Sequence, residues 1–105
     1  MTFTITAKLL DACVLGVVDL GDTYGYDLTQ KVGSLIDISE SALYPVLRRL
    51  SKEGLLTTYD VPFDGRNRKY YQITSEGKNR LLFYKEEWEN YKNTVDKVLG
   101  GNVNG

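Results

Sequence analysis

Apolar residues recur every three or four positions near the start of the chain, and this spacing predicts a helix over residues 6–20. Its apolar stripe consists of Leu9, Leu10, Cys13, Val14 and Val17. Gly21 follows as a helix terminator. The cysteine inside the stripe is expected to serve as a small core residue rather than as a reactive thiol.

Two shorter helices are predicted from residues that favour helix ends. The first is capped by Asp22 or Thr23 and ends near Gly33. The second follows the capping residue Ser39 and ends at Gly54. A chain of 105 residues has room for one domain built from such elements.

The hydrophobic pattern then changes from helical to alternating, which predicts a β-hairpin. Its first strand covers residues 55–61 and its second strand covers residues 68–73. Between them, Asp64 and Gly65 are a strong turn signal, because a tight hairpin turn requires positive φ angles.

A final helix is predicted from the capping residue Thr74 to about Leu99, a length of roughly 37 Å. An apolar seam with alternating spacings of three and four residues runs along it: Leu81, Tyr84, Trp88, Tyr91, Val95 and Val98. The seam either folds back onto the first helix or pairs with the same seam of a second copy. The length of the helix favours the second alternative, a two-fold dimer.

Three helices, a hairpin and a long helix are the element order of a winged helix-turn-helix, so we predict an α+β fold that is mostly α. We expect a winged-helix DNA-binding domain over residues 1–73, a dimerisation helix over residues 74–99 and a disordered tail over residues 100–105. Neither a membrane span nor a signal peptide is visible, and we therefore expect a cytoplasmic protein without a membrane partner.

The third helix has two different faces on a helical projection. An aliphatic face is formed by Leu43, Val46, Leu47 and Leu50. The opposite face carries Ser41, Tyr44, Pro45, Arg48 and Lys52. In a helix-turn-helix this outer face enters the major groove, whereas the alternative is a solvated amphipathic helix. Arg49 lies to the side and suits a phosphate contact, and Pro45 implies that the helix begins there or is kinked there.

The middle of the chain is basic although the whole is not. Residues 41–85 carry nine basic and four acidic residues, whereas residues 1–40 carry two and six. The hairpin contributes three of these cations: Arg66, Arg68 and Lys69. A basic hairpin beside a recognition helix can grip phosphates of the adjoining minor groove, and the alternative is that its charges discourage edge-strand pairing.

Composition excludes several classes of protein. A net charge of −1 excludes a uniformly basic nucleic-acid binder but allows a locally basic one. With one cysteine and no histidine, a disulfide framework, a Cys/His metal site and histidine-dependent nucleophilic catalysis are excluded. No glycine-rich phosphate loop or convincing carboxylate pair is visible. We therefore expect neither an enzyme nor a bound cofactor or metal.

Several segments of the chain together form the signature of a known family: residues 42–50 (Ala-Leu-Tyr-Pro-Val-Leu-Arg-Arg-Leu), residues 53–56, residues 66–74, Gly77, and upstream Gly16 and residues 24–28. Through these segments the chain resembles PadR-like transcriptional regulators over about residues 6–80. Its length resembles the short subfamily, whose long last helix is a dimerisation element. The recognition helix of that family carries its proline within it. The resemblance implies a cytoplasmic, homodimeric DNA-binding protein, usually a repressor.

The resemblance also implies which residues meet DNA. On the helix before the recognition helix they are Tyr24 and Tyr26. In the recognition helix they are Ser41, Tyr44, Arg48 and Arg49, and the helical projection adds Lys52. In the wing they are Arg66, Arg68 and Lys69. The alternative is a role in packing within the winged helix, and it applies to Tyr44, Tyr70 and Tyr71. A dimer would bind a pseudo-palindromic operator with half-sites about 34 Å apart.

Trp88 and Tyr91 raise a further hypothesis. Large aromatic residues paired across a two-fold axis can wall a slot for a small aromatic effector, as in some drug-responsive members of the family that the chain resembles. The alternative is that Trp88 only packs the dimer interface. The leading hypothesis for function is a sequence-specific regulator that occludes promoters, and the alternative is a winged-helix module that binds proteins and not DNA.

Overall fold

The fold is described for residues 2–101 in a computed structural model. Four helices and three strands follow one another: α1 (Ala7–Asp19), β1 (Thr23–Tyr24), α2 (Gly25–Ile36), α3 (Glu40–Lys52), β2 (Leu56–Phe63), β3 (Arg66–Ile73) and α4 (Ser75–Leu99). This order confirms the predicted α+β, mostly helical winged helix with a long last helix. Residues 102–105 of the predicted disordered tail lie outside the described residues.

The predicted capping residues of α3 and α4 are confirmed. Ser39 Oγ accepts a hydrogen bond from the N–H of Ala42 at 3.3 Å, and Thr74 Oγ1 accepts one from the N–H of Gly77 at 2.9 Å. Helix α3 runs from Glu40 to Lys52 with Pro45 inside it. The helix therefore begins before its proline rather than at it.

The start of α2 differs from its prediction. Neither Asp22 nor Thr23 caps the helix, because the residue at the cap position is Tyr24, which makes no side-chain cap bond. Thr23 instead pairs with β3, and its hydroxyl donates to Asp27 Oδ2 at 2.6 Å. This hydrogen bond helps to hold the pKa of the Asp27 carboxyl below its ordinary value.

The predicted end of α2 at Gly33 was wrong. The helix continues to Ile36 and is ended by Asp37, which adopts the left-handed conformation with φ 63°. Gly33 serves a different purpose, because a Cβ at this position would lie 2.8 Å from the carbonyl oxygen of Ile38. The residue allows the turn between α2 and α3 to approach the helix closely.

The three strands form one antiparallel sheet in the order β1-β3-β2. The predicted hairpin turn is confirmed, since Asp64 and Gly65 have φ angles of 54° and 78°. Tyr70 on the central strand lies opposite Tyr24 on one side and Tyr59 on the other. The two-residue strand β1 is absent from the sequence prediction, because no alternating pattern is visible in so short a segment.

The core lies between α1, α2, α3 and the base of the sheet. In α1 the buried positions are Leu10, Asp11, Val14, Leu15 and Val18. The predicted stripe is therefore confirmed for Leu10 and Val14, and Val17 is partly buried against the core, whereas Leu9 and Cys13 are only partly buried. Partial burial raises the pKa of the Cys13 thiol above its ordinary value.

Helix α4 joins the core only at its beginning. Gly77 packs against the end of the sheet, and Leu81 is 4% exposed within the single chain. Most of the later turns are exposed, and the described residues extend over 61 Å in their longest dimension. Across residues 2–101, none of the helices has the length and apolar character that a bilayer crossing needs.

Candidate nucleic-acid interface

An open groove of about 590 Å³ lies where the start of α2, the outer face of α3 and strand β3 meet. Its lining residues are Tyr24, Gly25, Tyr26, Tyr44, Arg48, Arg68, Lys69 and Tyr71. Six of these eight are residues that the sequence predicts as DNA contacts. The groove carries three cations and no carboxylate among its lining residues, so its charge is complementary to an anion.

Helix α3 forms one wall of the groove. Its residues Leu43, Leu47 and Leu50 are buried in the core, whereas Arg48 on the opposite face is exposed. The predicted division of α3 into an aliphatic and a polar face is thereby confirmed, although Val46 is only partly buried. A helix held by one face leaves the other free to enter a DNA groove.

Two further residues line the groove: Gly25, for which the sequence predicts no role, and Tyr71, for which it predicts a role in packing. Tyr71 is 6% exposed, in agreement with that role. A Cβ at Gly25 would lie 3.3 Å from Cε1 of Tyr44 and 3.5 Å from Cε2 of Tyr71, so the glycine lets both rings approach the start of α2. Burial and the neighbouring Tyr44 raise the pKa of the Tyr71 hydroxyl, while Arg48 opposes this shift. The alternating pattern of β3 is the signal that places Tyr71 on the inner face.

The Arg68 side chain is held between two aromatic rings. Its guanidinium carbon lies 3.6 Å from the ring centroid of Phe63 and 4.1 Å from that of Tyr24. Both distances are within the range of cation–π attraction. Strand β3 carries Arg68 between β2 and β1, so the guanidinium links the wing to the start of α2.

Aromatic contacts continue from Tyr24 along the same face of the sheet. Tyr70 lies 5.7 Å from Tyr24 and 5.6 Å from Tyr59 between ring centroids, and the second pair is stacked. The hydroxyl of Tyr59 donates to Asp22 Oδ2 at 2.7 Å. That hydrogen bond to a carboxylate raises the pKa of Tyr59. A chain of contacts thus joins the wing to the loop after α1.

Arg49 is the predicted contact that the structure places differently. Its guanidinium pairs with Asp11 Oδ1 at 2.5 Å and with Glu53 Oε1 at 3.2 Å. The Asp11 side chain is only 4% exposed, whereas that of Arg49 is 43% exposed. The hydrogen bond from Arg49 to Asp11 raises the arginine pKa. Arg49 therefore neutralises a buried carboxylate and ties α3 to α1.

The remaining predicted contacts lie outside the groove. Ser41 and Lys52 are exposed on α3, and Ser41 Oγ lies 3.2 Å from Ser39 Oγ. Arg66 is exposed at the tip of the wing, beside Gly65. None of these three residues lines the groove.

The predicted seam of α4 divides into two parts. Leu81 is buried in the core of the single chain and Tyr84 packs against that core, so little surface remains at Leu81 for a partner. Trp88 and Tyr91 are 41% and 63% exposed, with ring centroids 6.3 Å apart. Val95 is partly buried and Val98 is exposed.

Among the side chains of residues 2–101, no group of three or more His, Cys, Asp or Glu residues lies close enough together to hold a metal ion.

A winged helix with a basic, tyrosine-lined groove beside its third helix is the architecture of a DNA-binding regulator. A sequence model of the Transcriptional regulator PadR-like family matches residues 14–82. The chain therefore belongs to this family, whose regulators bind DNA. Family membership makes the protein a transcriptional regulator rather than an enzyme, and it does not favour a module that binds only proteins.

Solved structures agree with this assignment. The crystal structure of smu.1704 from Streptococcus mutans UA159 is 39% identical, with a TM-score of 0.90 over 98% of this chain and 97% of that chain. A PadR-like transcriptional regulator (BC4206) from Bacillus cereus is 33% identical, with a TM-score of 0.79 over 87% of this chain and 91% of that chain.

A curated relative is more distant. The negative transcriptional regulator PadR of Bacillus subtilis (strain 168) is 30% identical over 80 residues, which are 70% of this chain and 43% of that protein. The chain thus spans less than half the length of this relative.

Proposed function

We propose that the protein is a cytoplasmic, homodimeric repressor that occludes promoters by binding a pseudo-palindromic operator. The observation that carries the proposal is the groove, because tyrosines and cations from three separate elements converge on it and no carboxylate lines it. The Bacillus subtilis relative is a negative regulator, which supports repression rather than activation. Two such grooves in a dimer would face half-sites about one helical turn apart.

Different roles follow from the positions of the basic residues. Arg48 lies on the exposed face of α3, which supports a role in reading a base edge in the major groove. The exposed positions of Arg66 at the wing tip and of Lys69 further along β3 support contacts with phosphates. Ser41, Tyr44 and Lys52 surround the Arg48 contact, whereas Tyr24 and Tyr26 line the opposite wall.

Arg48→Ala is expected to weaken operator binding by about 1–3 kcal/mol and to relax sequence preference, because the residue reads a base. Arg66→Ala is expected to weaken binding to all sequences alike and to lower the salt slope by about one, because it removes a phosphate contact. Both effects are measured by fluorescence anisotropy at two salt concentrations. The probes are the duplex upstream of the protein's own gene and a scrambled duplex of equal length.

Lys78→Ala is the matched control, since this exposed lysine lies on α4 outside the groove. Its salt slope should remain that of the unaltered protein. Equal losses on both duplexes for Arg48→Ala and Arg66→Ala would contradict this division of roles. Absence of salt-sensitive binding to either duplex would contradict the proposed function itself.

The exposed part of the α4 seam supports the proposed dimer. Burying Trp88 and Tyr91 against a second copy would remove two large aromatic surfaces from water. The same pair of rings supports the proposal of a small aromatic effector that binds between the two subunits. Such an effector would change the separation of the recognition helices, a coupling of about 1–3 kcal/mol.

Tyr91→Lys is expected to convert the dimer to monomers, because it places a charge in the apolar seam. Asn93→Lys, on the opposite face of α4, should leave the dimer intact, and sedimentation equilibrium measures both. Trp88 is the only tryptophan, so its fluorescence reports on the effector directly. A monomeric unaltered protein would contradict the dimer, and unchanged Trp88 fluorescence with planar aromatic compounds at high micromolar concentration would contradict the effector.

A further inference from the structure

The Arg68 guanidinium differs from the other arginines near the groove in how it is held. The guanidinium of Arg49 is paired with the carboxylates of Asp11 and Glu53. Arg66 extends from the wing tip without a ring against it. The Arg68 guanidinium carbon lies 3.6 Å from the ring centroid of Phe63 and 4.1 Å from that of Tyr24, and rings this close must lie against the flat faces of the group rather than at its edge. Within residues 2–101 Arg68 has no ion pair.

A guanidinium that is held by its faces keeps its N–H donors free at its edge. All five donors lie in the plane of the group, so aromatic rings above and below do not occupy them. Two ring contacts also restrict the rotation of the side chain before any ligand arrives. Such a guanidinium can donate two parallel hydrogen bonds to two oxygen atoms of a phosphate or a carboxylate.

The sheet explains why these rings reach the guanidinium. Val61 lies directly opposite Arg68 in the register of β2 and β3, and Phe63 lies two residues further along β2 on the same face. Tyr24 lies opposite Tyr70 on the other edge of β3, again two residues away and on the same face. The central strand therefore places Arg68 diagonally between one ring from each neighbouring strand.

We propose that Phe63 and Tyr24 are positioning residues that orient the Arg68 guanidinium for a two-point contact with a phosphate of duplex DNA. This inference rests on the proposed function, because it describes how one cation of the groove, Arg68, contacts the phosphate backbone of DNA. It also gives a role to the Phe63 ring, whose side chain is 51% exposed. The ring acts through Arg68 and touches no phosphate itself.

Phe63→Leu is the most direct test, because it removes the ring and keeps an apolar side chain. Tyr24 is less suitable for testing, since it also lines the groove and contacts Tyr70. Phe63→Leu is expected to weaken binding to duplex DNA about five- to tenfold at unchanged melting temperature. Arg68→Ala is expected to weaken it about tenfold or more and to lower the salt slope by about one.

A double-mutant cycle separates positioning from an independent contact. In the Arg68→Ala background, Phe63→Leu should cause no further loss, because the group that it positions is gone. Phe3→Leu is the matched control, since Phe3 is an exposed phenylalanine without a ring or cation contact in the described part of the chain. The scrambled duplex at low salt is the probe, because a phosphate contact does not depend on sequence.

Two results would overturn the inference while leaving the proposed function intact. One is DNA binding by Phe63→Leu that equals binding by the unaltered protein. The other is a loss of the same factor with and without Arg68, which would show that Phe63 acts independently. If the unaltered protein binds no duplex, the proposed function fails and the inference fails with it.

A second measurement needs no DNA and distinguishes failure of the inference from failure of the proposed function. The ¹⁵Nε relaxation of Arg68 in the free protein should show a rigid side chain, and Phe63→Leu should make it mobile while leaving Arg66 unchanged. A mobile Arg68 in the unaltered protein would overturn the inference on geometry alone.

Discussion

Gly77→Ala is expected to destabilise the protein by about 3 kcal/mol, because the first turn of α4 packs with its backbone against the end of the sheet. An added Cβ would overlap the carbonyl oxygen of Leu55 and would lie 2.7 Å from Cγ1 of Ile73. The N–H of Gly77 also donates to Thr74, whose hydroxyl contacts the carbonyl oxygen of Gly54 at 2.7 Å. Thermal unfolding should show a melting temperature more than about 10 °C lower.

Gly21→Ala is the control for this substitution. Gly21 is exposed, has no positive φ, and a Cβ there would meet no atom within 4 Å. Its melting temperature should stay within about 2 °C of that of the unaltered protein when protein concentrations are equal. If Gly77→Ala were as stable as Gly21→Ala, α4 would have to pack differently from the structure.

Arg49→Ala is expected to destabilise the protein by about 2–3 kcal/mol, because it leaves the buried Asp11 carboxylate without its cation. The cost falls toward the lower end of the range for buried ion pairs, since Arg49 is 43% exposed and water can enter after its removal. Denaturant unfolding measures the free-energy change. The salt slope of DNA binding should remain unchanged, because the charge of Arg49 is paired with two carboxylates of the protein.

Arg48→Ala provides the contrasting control one position earlier on α3. Arg48 is exposed and has no ion pair within residues 2–101, so its removal should change stability by less than about 0.5 kcal/mol while weakening DNA binding. Asp11→Asn should destabilise less than Arg49→Ala, because it removes the buried charge together with the ion pair. A lower salt slope for Arg49→Ala would instead support the phosphate contact predicted from sequence.

Two neighbouring arginines of α3 show which features the sequence predicts and which it does not. Arg48 and Arg49 are both basic residues of the recognition helix, and helical geometry separates them by about 100°. Sequence alone predicts a contact for each. The structure distinguishes them because Asp11, the partner of Arg49, comes from another helix and lies 38 residues earlier in the chain. A local pattern contains no signal for such a partner.

Elements that depend on neighbouring residues were determined by the sequence itself. The two faces of α3 follow from helical periodicity, the caps Ser39 and Thr74 from short-range hydrogen bonds, and the turn at Asp64 and Gly65 from allowed φ angles. Each of these preferences acts within a few residues. The winged-helix order and the basic middle of the chain were therefore predictable.

Features that depend on distant residues were decided only by the tertiary structure. Strand β1 exists because the edge of β3 supplies its hydrogen bonds, and the buried face of α1 is set by the elements that pack on it. Leu81 joins the core rather than an open seam because the start of α4 packs against α1. Arg68 lies between Phe63 and Tyr24 because three strands meet there. Contacts between residues far apart in sequence become determinate only when the chain has folded and buried its apolar surface.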